Sequence, residues 1–275
     1  MNFWTKLLSI LDAQMTTPTA WGGFHILSWV LALTAAISLC LLYKHRKISV
    51  RTVLLAVSIT VIVAEIYKQI NYSFSYTDGI QFNYQWYAFP WQFCSTPMYA
   101  GLLAGILHKG KLHRPLCAYL ATYALFAGLC VMIHPGDVFI ETVGINIQTM
   151  LCHGSMITLG IFLFYSKHVA ARPKTLLYAL PIFAGAVLIA AILNEVAYQA
   201  ELLKEHTFNM FYISPHCDPH LPVYSSVQEV VPYPFCLIIY VAVFTLAAFA
   251  VLLLAMGIEQ LGKYVASKRQ ASSEA

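Results

Sequence analysis

Apolar residues run almost unbroken over seven stretches of the chain, residues 23–43, 52–72, 91–108, 115–134, 147–166, 175–198 and 232–257. Each holds about the twenty residues that a helix rising 1.5 Å per residue needs to cross roughly 30 Å of hydrocarbon. The pattern predicts an all-α, polytopic integral membrane protein: a seven-helix transmembrane bundle that forms one domain over residues 23–262. The connections are too short to fold as a second domain.

The polar positions between the runs are not evenly charged. Lys44, Arg46, Lys47 and Arg51 follow the first run, Lys109, Lys111 and Arg114 the third, and Lys167, Arg172 and Lys174 the fifth. The alternate loops hold few cations: residues 73–90 carry only Asp78, residues 135–146 carry Asp137 and Glu141, and residues 199–231 carry Lys204 alone among the basic residues. Cation-rich loops stay on the cytoplasmic side, so the amino terminus is expected outside and the carboxyl terminus inside. Residues 1–22 lack the basic start, apolar core and small-residue cleavage site of a signal peptide. Trp4, Leu7, Leu8, Ile10 and Leu11 instead predict a short interfacial helix. Residues 263–275 are polar and are expected as a disordered cytoplasmic tail.

Composition agrees with a membrane protein: 59% of residues are hydrophobic, 10% are charged and mean hydropathy is +0.68. The net charge of +4 resides mostly in the loops that set orientation, so no nucleic-acid partner is implied. Six of the seven cysteines (Cys40, Cys94, Cys117, Cys130, Cys152 and Cys236) fall in or at the ends of apolar runs, and no disulfide framework is legible.

Candidate chemistry comes from polar side chains inside the runs, which are costly in hydrocarbon. Cys94 sits in Phe89-Pro-Trp-Gln-Phe-Cys-Ser-Thr-Pro-Met98, where prolines bracket a helix start. A thiol there lies beside the free N–H groups of a helix amino end, which favour thiolate. The competing reading is an inert buried cysteine. His153 lies in the fifth run, which enters from the same side as the third, and is either the base such a thiol needs or a packing histidine. Both groups are expected roughly 5–9 Å below the outer helix ends, with the sulfur within a few ångströms of an imidazole nitrogen. Glu65, Lys68, Gln69 and Tyr72 form one polar stripe at helical spacing, in which Glu65 and Lys68 either orient His153 or neutralise each other. Asn194 and Glu195 close the sixth run at a similar level; Glu195 is a second candidate to orient His153 or a headgroup, or else an interfacial carboxylate. The backbone N–H groups of Ser95 and Thr96 are candidates for stabilising an oxyanion. The loop His216-Cys-Asp-Pro-His220 has metal-ligand residue types but lacks the paired ligand sets of a structural zinc site, so no metal and no cofactor is expected. Gly101 and Gly105 form a small face for close helix packing.

The order of these pieces resembles the transmembrane protein 164 family, which includes bacterial integral membrane proteins of the YwaF type. The resemblance rests on Glu65-Ile-Tyr-Lys68 followed by Tyr72-Ser-Phe-Ser-Tyr76, on Phe93-Cys-Ser95, on Cys152-His-Gly154 and on Asn209-Met-Phe-Tyr212, and it covers the second run to the last. It implies an acyltransferase acting on phospholipids and lysophospholipids in a bacterial cytoplasmic membrane, with Cys94 as nucleophile and His153 as its partner. Gln92 stands where bacterial members often carry histidine, and Ser214-Pro-His-Cys-Asp-Pro219 replaces a more basic stretch.

Two other classes stay open from the residues. A seven-helix receptor or sensor would bind a small or lipid ligand in an outer polar cavity without using Cys94. A metal-dependent lipid hydrolase needs several His or Asp ligands on different helices, and the last run has neither residue type.

Overall fold

The computed structural model describes residues 3–75, 80–136, 138–200, 208–217 and 222–273. Its helices are α1 (Phe3–Leu11), α2 (Gly23–Lys44), α3 (Val50–Asn71), α4 (Thr96–Ile106), α5 (His113–Tyr119), α6 (Leu125–Ile133), α7 (Val143–Tyr165), α8 (Lys174–Gln199), α9 (Pro222–Val230) and α10 (Tyr233–Ser273). A π-helical turn, Leu120–Ala124, joins α5 to α6, so these two form one span, His113–Ile133. Among the described residues, six helical segments are long and apolar enough to cross a membrane. The protein is therefore a polytopic helical membrane protein.

The third apolar run departs from expectation. Residues 91–95 are not regular helix, and α4 has 11 residues, which is roughly 16 Å. The physical reason is local. Pro97 occupies the second helical position, where its missing N–H costs nothing, and Gln92 O caps the chain by accepting from the N–H groups of both Ser95 (2.9 Å) and Thr96 (3.2 Å). The helix thus begins at Thr96, deep in the bundle, and the described residues before it, 72–75 and 80–95, take the place of the missing half. They include a two-stranded hairpin, β1 (Phe74–Ser75) and β2 (Gln81–Phe82), and a 3-10 turn at Trp86–Ala88. Irregular backbone at such depth is tolerated where protein covers it or where it lines a cavity.

Alternate loops gather at opposite ends. One, here the aromatic end, holds residues 12–22, 72–75, 80–95, 134–136, 138–142 and 208–217. Its amino-terminal segment is tied in by Met15 N donating to Glu141 O (2.7 Å) and by Tyr67 Oη donating to Leu11 O (2.6 Å). The other, the cationic end, holds the basic loops. There α10 reaches the level of Lys167, which pairs with Glu259 at 3.2 Å. Residues 263–273, expected as a disordered tail, continue α10 beyond that level.

Glycines set two close approaches. A Cβ at Gly128 would stand 2.8 Å from His153 O, and one at Gly160 would stand 2.8 Å from Leu125 Cβ, so α6 packs on α7 nearly backbone to backbone. The core between α5, α8 and α10 is aromatic: Tyr123 stacks on Phe183 at 4.4 Å between ring centroids, and Phe93 stacks on Phe211 at 5.6 Å.

Candidate functional site

Spacing on α7 explains what the site contains. Gln148, Cys152, Ser155 and Leu159 recur at intervals of three and four, so they share one face, and that face meets α3 and α4. Gln148 Nε2 donates to Glu65 Oε2 at 2.9 Å, and Cys152 Sγ donates to Cys94 O at 3.3 Å. The carboxylate of Glu65, only 4% exposed, also takes Lys68 Nζ at 2.7 Å and Gln69 Nε2 at 2.8 Å. A buried charge pair is tolerated when its groups are hydrogen-bonded, and here three side chains on two helices, Lys68, Gln69 and Gln148, donate to the carboxylate. Lys68 acts electrostatically on both Cys94 and Cys152. Tyr84 roofs the network by donating to Gln69 Oε1 at 2.6 Å.

Cys94, half-buried, lines a small cavity with Ser58, Val61, Met98, Cys152 and Ser155. It has space for about one water molecule. The buried Ser58 hydroxyl, which has no hydrogen-bond partner among the described residues, also lines it. On the far side of Met98 lies an open groove of about 300 Å³ along α3, lined by Ile62, Glu65, Gln69, Ser73 and Tyr99 among others. Ile66 and Ile70, 54% and 41% exposed, place that groove on the lateral surface. Met98 borders both spaces and separates them.

Several expectations change. The cavity is level with Val57 to Val61, roughly 15–21 Å below Asn71 at the aromatic end, so Cys94 lies near mid-depth rather than 5–9 Å below the helix ends. The late start of α4 is the reason. His153 follows Cys152 by one residue, so it is turned about 100° to the next face, towards α6. Its Nδ1 meets Thr149 O at 2.7 Å, and no hydrogen bond joins it to Cys94. The Ser95 and Thr96 N–H groups, read as oxyanion donors, are already bonded to Gln92 O.

Gln92 and Asn194 hold a loop and do not orient His153. Gln92 donates to Asn209 O (3.0 Å) and accepts from Phe211 N (2.9 Å); Asn194 donates to Met210 O (3.1 Å) and accepts from Met210 N (2.7 Å). Phe211 and Tyr212 both have positive φ, 58° and 56°. Such residues cost about 1–3 kcal/mol each and persist when their surroundings fix them. Phe211, fully buried against Phe93, wedges this loop onto the Cys94 segment. Glu195 is also elsewhere: half exposed, it accepts from Gln199 (2.6 Å) and pairs with His216 (2.8 Å), whose ring stacks on Tyr198. Asp218, Pro219 and His220 of the loop cluster lie outside the described residues, as do Tyr76, Asp78, Asp137 and Lys204.

Sequence reasoning gave no role to Gln148, Cys152 or Met98. The three-and-four spacing on α7 was a usable signal for the first two; nothing in the sequence marks Met98.

Fold and site together define a helical membrane protein with two cysteines and a buried carboxylate–ammonium network beside a lateral groove. The sequence profile of the TMEM164 family matches residues 18–254, and the chain belongs to that family. No curated protein and no solved structure matches the chain.

Proposed function

We propose that the protein is a membrane-embedded acyltransferase that moves fatty acyl groups between phospholipids and lysophospholipids through a thioester on Cys94. One observation carries the reading. The groove along α3 runs from Ser73 at the aromatic end to Ile62, roughly 16 Å, and ends at Met98, whose other side faces the thiol cavity. Ser73, Gln69 and Glu65 recur every fourth residue along it, a polar ladder down which a glycerol ester descends from the interface to mid-depth.

In the proposed chemistry the Cys94 proton passes to His153 Nε2, the ring atom left to act when Nδ1–H donates to Thr149 O. The thiolate adds to the donor's ester carbonyl. Collapse expels a lysophospholipid alkoxide, which takes the proton back from His153. A second lysophospholipid hydroxyl then gives its proton to His153 as its oxygen adds to the thioester, and Cys94 leaves as thiolate and is reprotonated. This cycle requires Met98 to swing aside and the imidazole to meet the thiol, contacts often completed only with substrate bound. Lys68 supplies the positive charge for the developing anion, in place of the engaged Ser95 and Thr96 amides.

The alternation of loop cations favours the reading in which the aromatic end lies outside and the cationic end inside a cytoplasmic membrane, with residues 80–106 as a seventh, half-helical crossing. Incubation with a phospholipid labelled in its acyl chain tests the reading. Hydroxylamine-labile label on the wild-type chain, absent from Cys94→Ala, is expected. Transfer at wild-type rate in Cys94→Ala would overturn the covalent mechanism and leave a ligand-binding membrane protein.

A further inference from the structure

A second side-chain cluster lies at the opposite end of the bundle and plays no part in the chemistry above. His113 opens α5, Cys117 stands four residues on and therefore on the same helix face, and His168 comes from the loop between α7 and α8. The ligand atoms of the three lie within 4.8 Å of one another. His113 Nε2 is 2.6 Å from His168 Nε2 and 3.7 Å from Cys117 Sγ. His113 Nδ1 meets Ala104 O at 2.8 Å. A ring nitrogen bonded to a backbone carbonyl fixes the tautomer and ring orientation of metal-ligating histidines and presents the other nitrogen to the ion.

We propose that His113, Cys117 and His168 form a binding site for a zinc-type divalent cation at the cationic end of the bundle. Two imidazoles and a thiolate suit a borderline-soft metal and discriminate against magnesium and calcium, which take oxygen. Zinc–nitrogen bonds of about 2.0–2.1 Å at the tetrahedral angle set two nitrogens roughly 3.3 Å apart. Metal entry therefore replaces the 2.6 Å contact and parts the rings by under about 1 Å, within the reach of the loop that carries His168. Cys117 gives its proton to water on binding, so affinity falls as pH falls. Three protein ligands leave the fourth position open. His168 also borders a groove of about 730 Å³ lined by Lys44, Arg46, Lys47 and Ser49, so that position faces a basic surface suited to a water or an anion.

The experiment uses the full chain in detergent, purified without a polyhistidine tag and titrated with Zn2+ alone or Co2+ alone. One ion per chain is expected, with thiolate-to-cobalt charge-transfer absorption in the Co2+ form. Cys117→Ser should abolish that absorption, and His113→Ala and His168→Ala should each weaken Zn2+ binding at least about tenfold. Cys94→Ser should keep the full stoichiometry. If Cys117→Ser fails to fold, His168→Asn in the loop replaces it, with the same tenfold loss expected. Unchanged Zn2+ affinity in the histidine variants, absence of the charge-transfer band in wild type, or loss of the ion in Cys94→Ser would each overturn the site.

Discussion

Cys94 and Cys117 are both thiols at the edges of helices, yet their surroundings are opposite. Cys117 has an imidazole in contact from its own helix and a second within 4.8 Å from a loop, a set that needs only a sub-ångström parting of the rings. Cys94 has charge around it in place of imidazole: Lys68 and Glu65 act on it, Cys152 bonds its carbonyl, and His153 faces a neighbouring helix surface. The preformed set suits a resident ligand, whose ordering cost is met once. The set that lacks its last contact suits a reaction in which substrate binding drives Met98 and the imidazole into place.

The sharpest way to break this contrast is to ask which histidine serves which thiol. In transfer assays His153→Ala should lose about 10²–10⁴-fold in rate, the usual worth of a positioned base, and the Cys94→Ala, His153→Ala pair should be hardly worse than Cys94→Ala alone. Additive losses, or an active His153→Ala, would show that the two side chains never meet. The Cys94→Ala protein should meanwhile retain its zinc, so the two thiols separate by readout.

The second prediction concerns stability. Glu65→Leu removes a buried carboxylate from three donors and leaves Lys68, only 14% exposed, without its counter-charge. Breaking a buried pair on one side costs about 3–5 kcal/mol. Thermal unfolding in detergent should show that loss, and Glu65→Gln, which keeps a hydrogen-bonding group in place, should lose less. Equal losses in the two variants would mean that the lost charge sets the whole cost and that the retained hydrogen-bonding group adds nothing.

How much of this was legible beforehand follows from the range of each signal. Spans, loop cations and the polar stripe on α3 are local or periodic, so the sequence showed them. Glu65, Lys68 and Gln69 do sit together, because residues three and four apart on a helix must. The depth of Cys94 was missed because an apolar run does not reveal where helix gives way to irregular chain. Pro97 hinted at the start of α4, but only the capture of both amides by Gln92 O shows it. The pairing of Cys94 with Cys152 in place of His153 turns on a rotation of one residue on α7, which the shared depth of two helices cannot fix. The His113 and Cys117 spacing was visible; that His168 completes it depends on where a loop folds.

A third, smaller effect tests the strained loop against the Cys94 segment. Asn194→Ala would strip the N–H of Met210 of its partner inside the core and leave its C=O with only the 3.4 Å bond from Ile213 N. Buried backbone groups left unpaired cost about 1–3 kcal/mol. Because the loop's Phe211 stacks on Phe93, next to the thiol, its loosening should also speed maleimide labelling of Cys94. Faster labelling without any loss of stability would show that the loop is held by packing alone.

The smallest expected effect separates surface charge from site charge. Glu195 and Glu65 are both glutamates near the aromatic end of a long helix, and both pair with a base on one side and a glutamine four residues on. Solvent decides the difference. Glu65 is 4% exposed, whereas the Glu195 side chain is 50% exposed, and water screens its contact with His216. Glu195→Gln should therefore leave the unfolding midpoint and the transfer rate at their wild-type values in the same detergent and lipid mixture in which Glu65→Leu is crippled. Exposed ion pairs are weakened by salt, so raising ionic strength should not separate wild type from Glu195→Gln either. A large rate loss in Glu195→Gln, with stability intact, would move the headgroup contact to the His216 loop and shift the entry of substrate from the groove along α3 to the far side of α8.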